Sequence, residues 1–120
     1  MSMETPARAE VSAYCPAFQA TVELIGRRWS GSIIRSMLSG SVRFGEILSR
    51  VPGLSDRLLS ERLRELEAAG IVTRTVYPEV PVRIEYHLTP KGRELESIVS
   101  TIDAWTAKWA QPVAEQSALG

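Results

Sequence analysis

The stretch from residue 44 to residue 69 constrains the fold most, because two helical patterns are joined there by a turn that leaves few alternatives. The sequence FGEILSR (44–50) places its apolar side chains at helical spacing. Pro52 cannot continue that helix, and Gly53 tolerates the positive φ of a turn. Ser55 then fits the N-cap of a longer helix. We therefore predict a helix-turn-helix over residues 44–69.

The longer helix of this motif has two chemically different faces. At 100° per residue its three leucines cluster within about 60° and face a core: Leu59, Leu63 and Leu66. The opposite side is polar and free to contact another molecule: Arg57, Ser60, Glu61 and Arg64. Arg62 lies at the boundary, where it either packs its aliphatic stem or reaches a phosphate.

Residues 71–88 predict a β-hairpin that follows the helix-turn-helix as a wing. Apolar and polar side chains alternate from Val82 to Leu88, which is typical of a strand. The tip from Pro78 to Pro81 is too short for a crossover connection, so the two strands are expected to pair directly. A helix-turn-helix with a wing is suited to placing one helix in a DNA major groove.

The complete pattern predicts an α+β, mostly helical fold: a winged helix-turn-helix with N- and C-terminal dimerisation helices. Ser41–Arg43 is a candidate for a short strand. Thr89 and Pro90 fit the N-cap and first position of the last helix, which Pro112 ends. Two helices precede the motif, over residues 16–26 and 29–38. The domain is assigned to residues 14–112, with its wing at 71–88, its last helix at 90–111, and flexible segments at 1–13 and 113–120.

The first and last helices carry more apolar surface than one small domain can bury. Six of these side chains are expected to form a dimer seam: Phe18, Val22, Ile98, Ile102, Trp105 and Trp109. A twofold dimer would place two reading helices ~34 Å apart, one turn of B-DNA, on a palindromic operator.

Charge is unevenly distributed along a chain of 120 residues whose formal net charge is zero. Residues 26–64 contain eight arginines and three acidic residues, which suggests a basic face, although a solvated surface explains the excess about as well. No apolar run approaches the roughly 18 residues of a membrane span, and the N-terminus does not resemble a secretory signal. The single cysteine, Cys15, cannot form an internal disulfide, so a cytoplasmic location is expected.

Several segments together resemble the HxlR family of bacterial winged helix-turn-helix regulators. They cover roughly residues 14–109 in the family's order: Cys15-Pro16, Leu24-Ile25-Gly26 before Trp29, residues 43–47, 52–55 and 63–67, the wing sequence YPEVPVRIEY at 77–86, and residues 88–92. The resemblance implies a homodimeric regulator with double-stranded DNA as its partner. Family members often respond to electrophiles, oxidants or metabolites through an N-terminal cysteine, here Cys15. This chain has no second cysteine, so a bridge between two Cys15 residues, a mixed disulfide or a thiol adduct remain the options.

The outer face of the reading helix departs from the family. Its early positions usually carry amides and a lysine, whereas this chain has Asp56, Arg57, Glu61 and Arg62, so the operator is expected to differ. Arg57 is the leading candidate for a base or phosphate contact, with a solvated side chain as the alternative. Glu61 either accepts from a cytosine amine or pairs with Arg57, and the pair is slightly favoured.

The remaining DNA candidates are assigned by position. Ser55 caps the helix and can offer backbone N–H groups to a phosphate, while Ser60 and Arg64 are candidates for groove or backbone contacts. Arg83 lies beside the wing tip, where it either enters the minor groove or binds phosphate, or else pairs with Glu79 or Glu85.

Cys15 allows two interpretations. A lone cysteine is often a small buried hydrophobe. Its position before a helix would instead expose its thiolate to the helix dipole and to the charges of Arg27 or Arg28.

No catalytic, cofactor-binding or metal-binding pattern is recognisable, so we predict that the protein is not an enzyme and needs no cofactor or metal. His87 is far along the chain from Cys15, and no phosphate-binding glycine loop occurs. The leading hypothesis is transcription control, with repression favoured over activation. The alternative is a winged-helix module that binds protein rather than DNA.

Overall fold

The computed structural model describes residues 12–110 and has two antiparallel strands among its helices. The elements are α1 (Pro16–Gly26), α2 (Ser30–Leu38), α3 (Phe44–Arg50), α4 (Asp56–Ala68), β1 (Val72–Tyr77), β2 (Arg83–Leu88), α5 (Pro90–Arg93) and α6 (Leu95–Trp109). This order confirms the predicted winged helix-turn-helix: α3 and α4 form the motif, and the β1–β2 hairpin is the wing.

Local chemistry explains how the motif is held. The Ser55 hydroxyl accepts a hydrogen bond from the Leu58 N–H at 3.1 Å, which caps α4 as predicted. Gly53 in the turn and Gly70 after α4 have φ values of 93° and 78°, in the left-handed region that favours glycine. These features start and end α4 sharply, so the direction of the helix is well defined.

The core lies between α4, α2, α3 and the wing. The three leucines predicted to face inward are at most 2% exposed. Other apolar side chains bury around them: Ile33, Ile34, Met37, Ile47, Val51, Leu54, Ile71, Val72 and Leu88. Because β1 pairs with β2 from Val72–Leu88 to Tyr77–Arg83, the base of the hairpin is buried and its tip extends outward.

Two local predictions before the motif were wrong. Residues Ser41–Arg43 do not form a strand, because the Glu46 carboxylate accepts the Val42 and Arg43 N–H groups at 2.8 and 2.9 Å. Among residues 12–110, a single hydrogen bond joins this segment to the wing: the Tyr86 N–H donates to the Val42 carbonyl at 2.8 Å. Trp29 precedes α2 instead of belonging to it, and its φ of 79° is incompatible with the right-handed helix.

The predicted last helix is interrupted at Glu94 and ends at Trp109. Its first turn, α5, is tied to the end of α4: the Thr89 hydroxyl donates to the Gly70 carbonyl at 2.6 Å. The second part, α6, instead packs against α2. The two parts of the helix therefore contact different elements, α5 the end of α4 and α6 the helix α2. Pro112 and the segments predicted to be flexible lie outside the described residues, apart from residues 12 and 13.

The first and last helices lie on the outside of the core. Neither α1 nor α6 contains a fully buried residue. Together with α2 they line an apolar groove of about 330 Å³, with Val22, Ile25, Leu95, Ile98 and Ile102 on its walls. Among the described residues, no helix is both long and apolar enough to cross a bilayer.

Candidate nucleic-acid interface

The outer face of α4 presents polar side chains to solvent. The Arg57 side chain is 81% exposed, and its Nε lies 3.5 Å from the Glu61 carboxylate. The intrahelical pair favoured by the sequence is therefore present, but an exposed pair of this kind is weak, typically about 0.3–0.5 kcal/mol. Arg57 can exchange this partner for a base or phosphate at small cost. Ser55, Asp56 and Arg64 are exposed on the same helix, and Ser60 is half-buried.

Arg62 points inward and is unavailable to DNA. It is only 7% exposed, and its Nε donates to the Arg28 carbonyl at 2.9 Å. Its Nη1 lies 3.5 Å from the Glu65 carboxylate, whose second oxygen is 3.2 Å from Arg27 Nε. Of the two roles considered for Arg62, packing is the one observed. The contacts connect α4 to the segment between α1 and α2.

The wing tip is organised by ion pairs around Arg83. Its guanidinium contacts Glu79 at 2.8 Å, pairs with Glu85, and stacks over the Tyr77 ring at 3.9 Å from the centroid. Its hydrogen bond lowers the pKa of Glu79, and a hydrogen bond from His87 together with Arg83 lowers the pKa of Glu85. The structural pairing is thus the arrangement observed for Arg83. A DNA contact by this side chain would require it to leave two carboxylates.

Arg74, a cation on the inner edge of this candidate interface, was not predicted from the sequence. Arg74 is exposed on β1, opposite Tyr86 in the register, and shares its strand face with the buried Val72. It lines a groove of about 440 Å³ between α4 and the wing, together with Ser60, Leu63, Arg64, Glu67 and Tyr86. The sequence did contain one indication of this residue: alternation along the strand assigns Arg74 to the same face as Val72, where a charged side chain is unusual.

Cys15 occupies the N-cap position of α1 and is exposed. In the single chain it is therefore not the small buried hydrophobe considered as one alternative. Arg27 and Arg28 follow the far end of α1, roughly 16 Å away at 1.5 Å per residue. The expectation that these arginines act on the thiol within one chain is therefore wrong.

All six side chains predicted for a dimer seam are exposed in the single chain. Phe18, Trp105 and Trp109 are 66%, 62% and 61% exposed, and Val22, Ile98 and Ile102 also remain accessible. Large apolar patches of this kind on a small protein commonly mark interaction surfaces.

Comparison with known proteins identifies the family. The profile described as "HxlR-like helix-turn-helix" matches residues 24–114. The HTH-type transcriptional regulator YvaP of Bacillus subtilis is 48% identical over 101 residues, which is 84% of this chain and 94% of YvaP. YodB, an HTH-type transcriptional regulator of the same organism, is 41% identical and covers 82% of this chain and 88% of its own.

Solved structures agree with this assignment. The redox regulator HypR in its oxidised form has a TM-score of 0.74 at 41% identity, and the match covers 82% of this chain and 100% of that chain. The reduced form of YodB has a TM-score of 0.73 at 40% identity, covering 83% and 98%. YodB has also been solved after diamide treatment and with a bound quinone.

These relatives are transcriptional regulators, which favours DNA binding over the alternative of a protein-interaction module and over enzymatic activity. The fold, the exposed polar face of α4 and the residues matched by the profile lead to the same assignment. The chain belongs to the HxlR-like helix-turn-helix family of DNA-binding transcriptional regulators.

Proposed function

We propose that this regulator binds a palindromic operator as a homodimer and represses transcription by occupying it. The exposed apolar surface of α1 and α6 supports the dimer, since a twofold seam would remove Phe18, Trp105 and their neighbours from water. Two copies of α4 would then lie about one DNA turn apart, in successive major grooves on one side of the duplex. Occupation of such a site blocks access to the promoter, so we assign repression.

In this arrangement α4 supplies both base and backbone contacts. Arg57 can bind guanine through its two-pronged guanidinium, and the carboxylates of Asp56 and Glu61 can accept from cytosine amines. Ser55 lies at the helix N-terminus, where free backbone N–H groups suit a phosphate. The high exposure of Arg57 is the observation that supports this assignment most directly.

We expect Arg57→Ala to weaken operator binding by about 1–3 kcal/mol and to relax preference at one base pair in each half-site. Arg57→Lys separates the two kinds of contact. Lysine keeps the charge but lacks the paired N–H donors of the guanidinium. Relative to the alanine variant, it should therefore restore a phosphate contact but not a bidentate guanine contact. Binding is measured by fluorescence anisotropy on the operator and on duplexes with single-base changes. Unchanged affinity of the alanine variant would remove Arg57 from the interface.

We also propose that Cys15 carries a thiol-based response to oxidants or electrophiles. The thiol is exposed. Among the relatives, YodB has been solved after diamide treatment and with a bound quinone, and HypR is described as a redox regulator. An electrophile would add to the thiolate, whereas an oxidant would join Cys15 to the partner's Cys15 or to a small thiol. Because the chain has one cysteine, each product changes the mass in a characteristic way.

Cys15→Ser is expected to abolish any loss of operator binding caused by diamide or a quinone, because serine keeps the size but not the nucleophile. The measurement is operator affinity with and without each reagent, alongside intact-protein mass spectrometry. Affinity in untreated samples should match the parent. If the serine variant still responds, the signal enters through another site, and a small ligand in the groove between α1 and α6 becomes the next candidate.

A further inference from the structure

The groove between α4 and the wing has two arginines on opposite walls. Arg64 stands on the α4 side and Arg74 on the β1 side, and both are exposed. Within residues 12–110, neither guanidinium has an ion-pair or hydrogen-bond partner, whereas Arg27, Arg57, Arg62 and Arg83 are all paired with carboxylates. Two arginines on facing elements that make no ion pair among the described residues, with only the Glu67 carboxylate beside them in the groove, indicate an external anion.

The geometry of duplex DNA indicates that this anion is a phosphate of the DNA backbone. When a helix lies in the major groove and a neighbouring hairpin approaches the adjacent minor groove, one sugar–phosphate strand must pass between them. In this protein the space between α4 and the wing is the groove that Arg64 and Arg74 flank. The Ser60 hydroxyl on its wall adds a neutral donor for a phosphate oxygen.

We propose that Arg64, Arg74 and Ser60 form a clamp for one backbone phosphate at the crossing of the strand between α4 and the wing. This inference rests on α4 occupying the major groove, as proposed above. The clamp carries no base information, since it touches only the backbone, and it sets register and overall affinity. Arg83 cannot take this role without giving up both Glu79 and Glu85.

Glu67 makes the assignment sharply testable, because its carboxylate lines the same groove and can only repel a phosphate. Among the described residues it makes no ion pair, so its charge is not neutralised in the free protein. Removing this charge should strengthen binding, whereas removing Arg74 should weaken it. A merely structural role for either side chain would not produce opposite effects.

The experiment compares the parent protein with Arg74→Ala, Arg74→Lys and Glu67→Gln on two duplexes: the DNA upstream of the protein's own coding region and a random sequence of equal length. Affinity is measured across a salt series. For Arg74→Ala we expect a loss of similar factor on both duplexes and a salt slope reduced by about 0.9 per subunit. Arg74→Lys should keep the parent slope, and Glu67→Gln should bind both duplexes more tightly at low salt.

An Arg74→Ala slope equal to that of the parent, or a loss confined to one duplex, would overturn the clamp. Weaker binding by Glu67→Gln would also overturn it. Thermal unfolding of each variant shows whether the fold is intact, and the lysine variant covers the case in which alanine perturbs the strand. If the parent bound neither duplex at low salt, the DNA-binding role itself would fail, which is a separate outcome from an unchanged slope.

Discussion

Gly92→Ala is expected to lower the free energy of unfolding by on the order of 3 kcal/mol, because there is no room for a methyl group at this position. A Cβ built on Gly92 would lie 2.2 Å from the Ile71 carbonyl oxygen and 3.1 Å from the Leu88 side chain. The first of these atoms is backbone and cannot rotate away. The Ile71 carbonyl also accepts the Thr89 N–H at 2.9 Å, so moving it would break a second contact.

The matched control is Gly45→Ala in α3, where an added Cβ meets nothing within 4 Å. Alanine favours a helix over glycine by up to about 1 kcal/mol, so this variant should be neutral or more stable. Denaturant and thermal unfolding measure both proteins, and a loss of 3 kcal/mol corresponds to a Tm decrease of roughly 10 °C or more for a domain of this size. Equal stability of the two variants would mean that α5 can withdraw from Ile71 at little cost.

Trp105→Ala is expected to shift the proposed dimer strongly toward monomer. The ring is 62% exposed in the single chain, so its removal should leave the fold largely intact and act mainly on association. Truncation of a central aromatic in an interface commonly costs about 2 kcal/mol or more. A twofold dimer contains the residue twice, so we expect about 4 kcal/mol in total, roughly a 1,000-fold rise in the dimer Kd.

Sedimentation velocity over a concentration series measures this shift, and Ser100→Ala is the control. Ser100 is exposed on α6 about 140° around the helix from Trp105, so its truncation should leave association unchanged. The operator affinity of Trp105→Ala should fall with the loss of the dimer, because a single subunit contacts one half-site. A variant that remains fully dimeric would place the seam on another surface.

Elements with a strong local signal could be predicted from sequence. The Pro52-Gly53 turn, the Ser55 cap and the three leucines of α4 are all specified within a few residues of chain, and each is present in the structure. The wing followed from alternation of polar and apolar residues along β2. These features depend on backbone conformation and period, which the chain determines locally.

Functional assignments on the same elements were less predictable. Arg57 and Arg62 are five residues apart on α4, yet one is exposed and the other is buried against the Arg28 carbonyl. From the sequence, Arg83 was about equally suited to contact DNA or to pair with a neighbouring carboxylate. In the structure, the hairpin places Tyr77 and Glu79 around its guanidinium. Arg74 belongs to no recognisable motif, and its position beside Arg64 is evident only once β1 is packed against α4.

The order of helices and strands, the inward face of α4 and the family can be predicted from the chain, because helical and strand periods and turn residues are encoded over short spans. Which arginines remain available to a partner depends on how the elements pack. A guanidinium takes the carboxylate or carbonyl that the fold brings within about 3 Å, and that neighbour is often distant in the chain. Arg62 meets Arg28 in this way, whereas Arg64 and Arg74 face a groove in which the carboxylate of Glu67 is unpaired among the described residues.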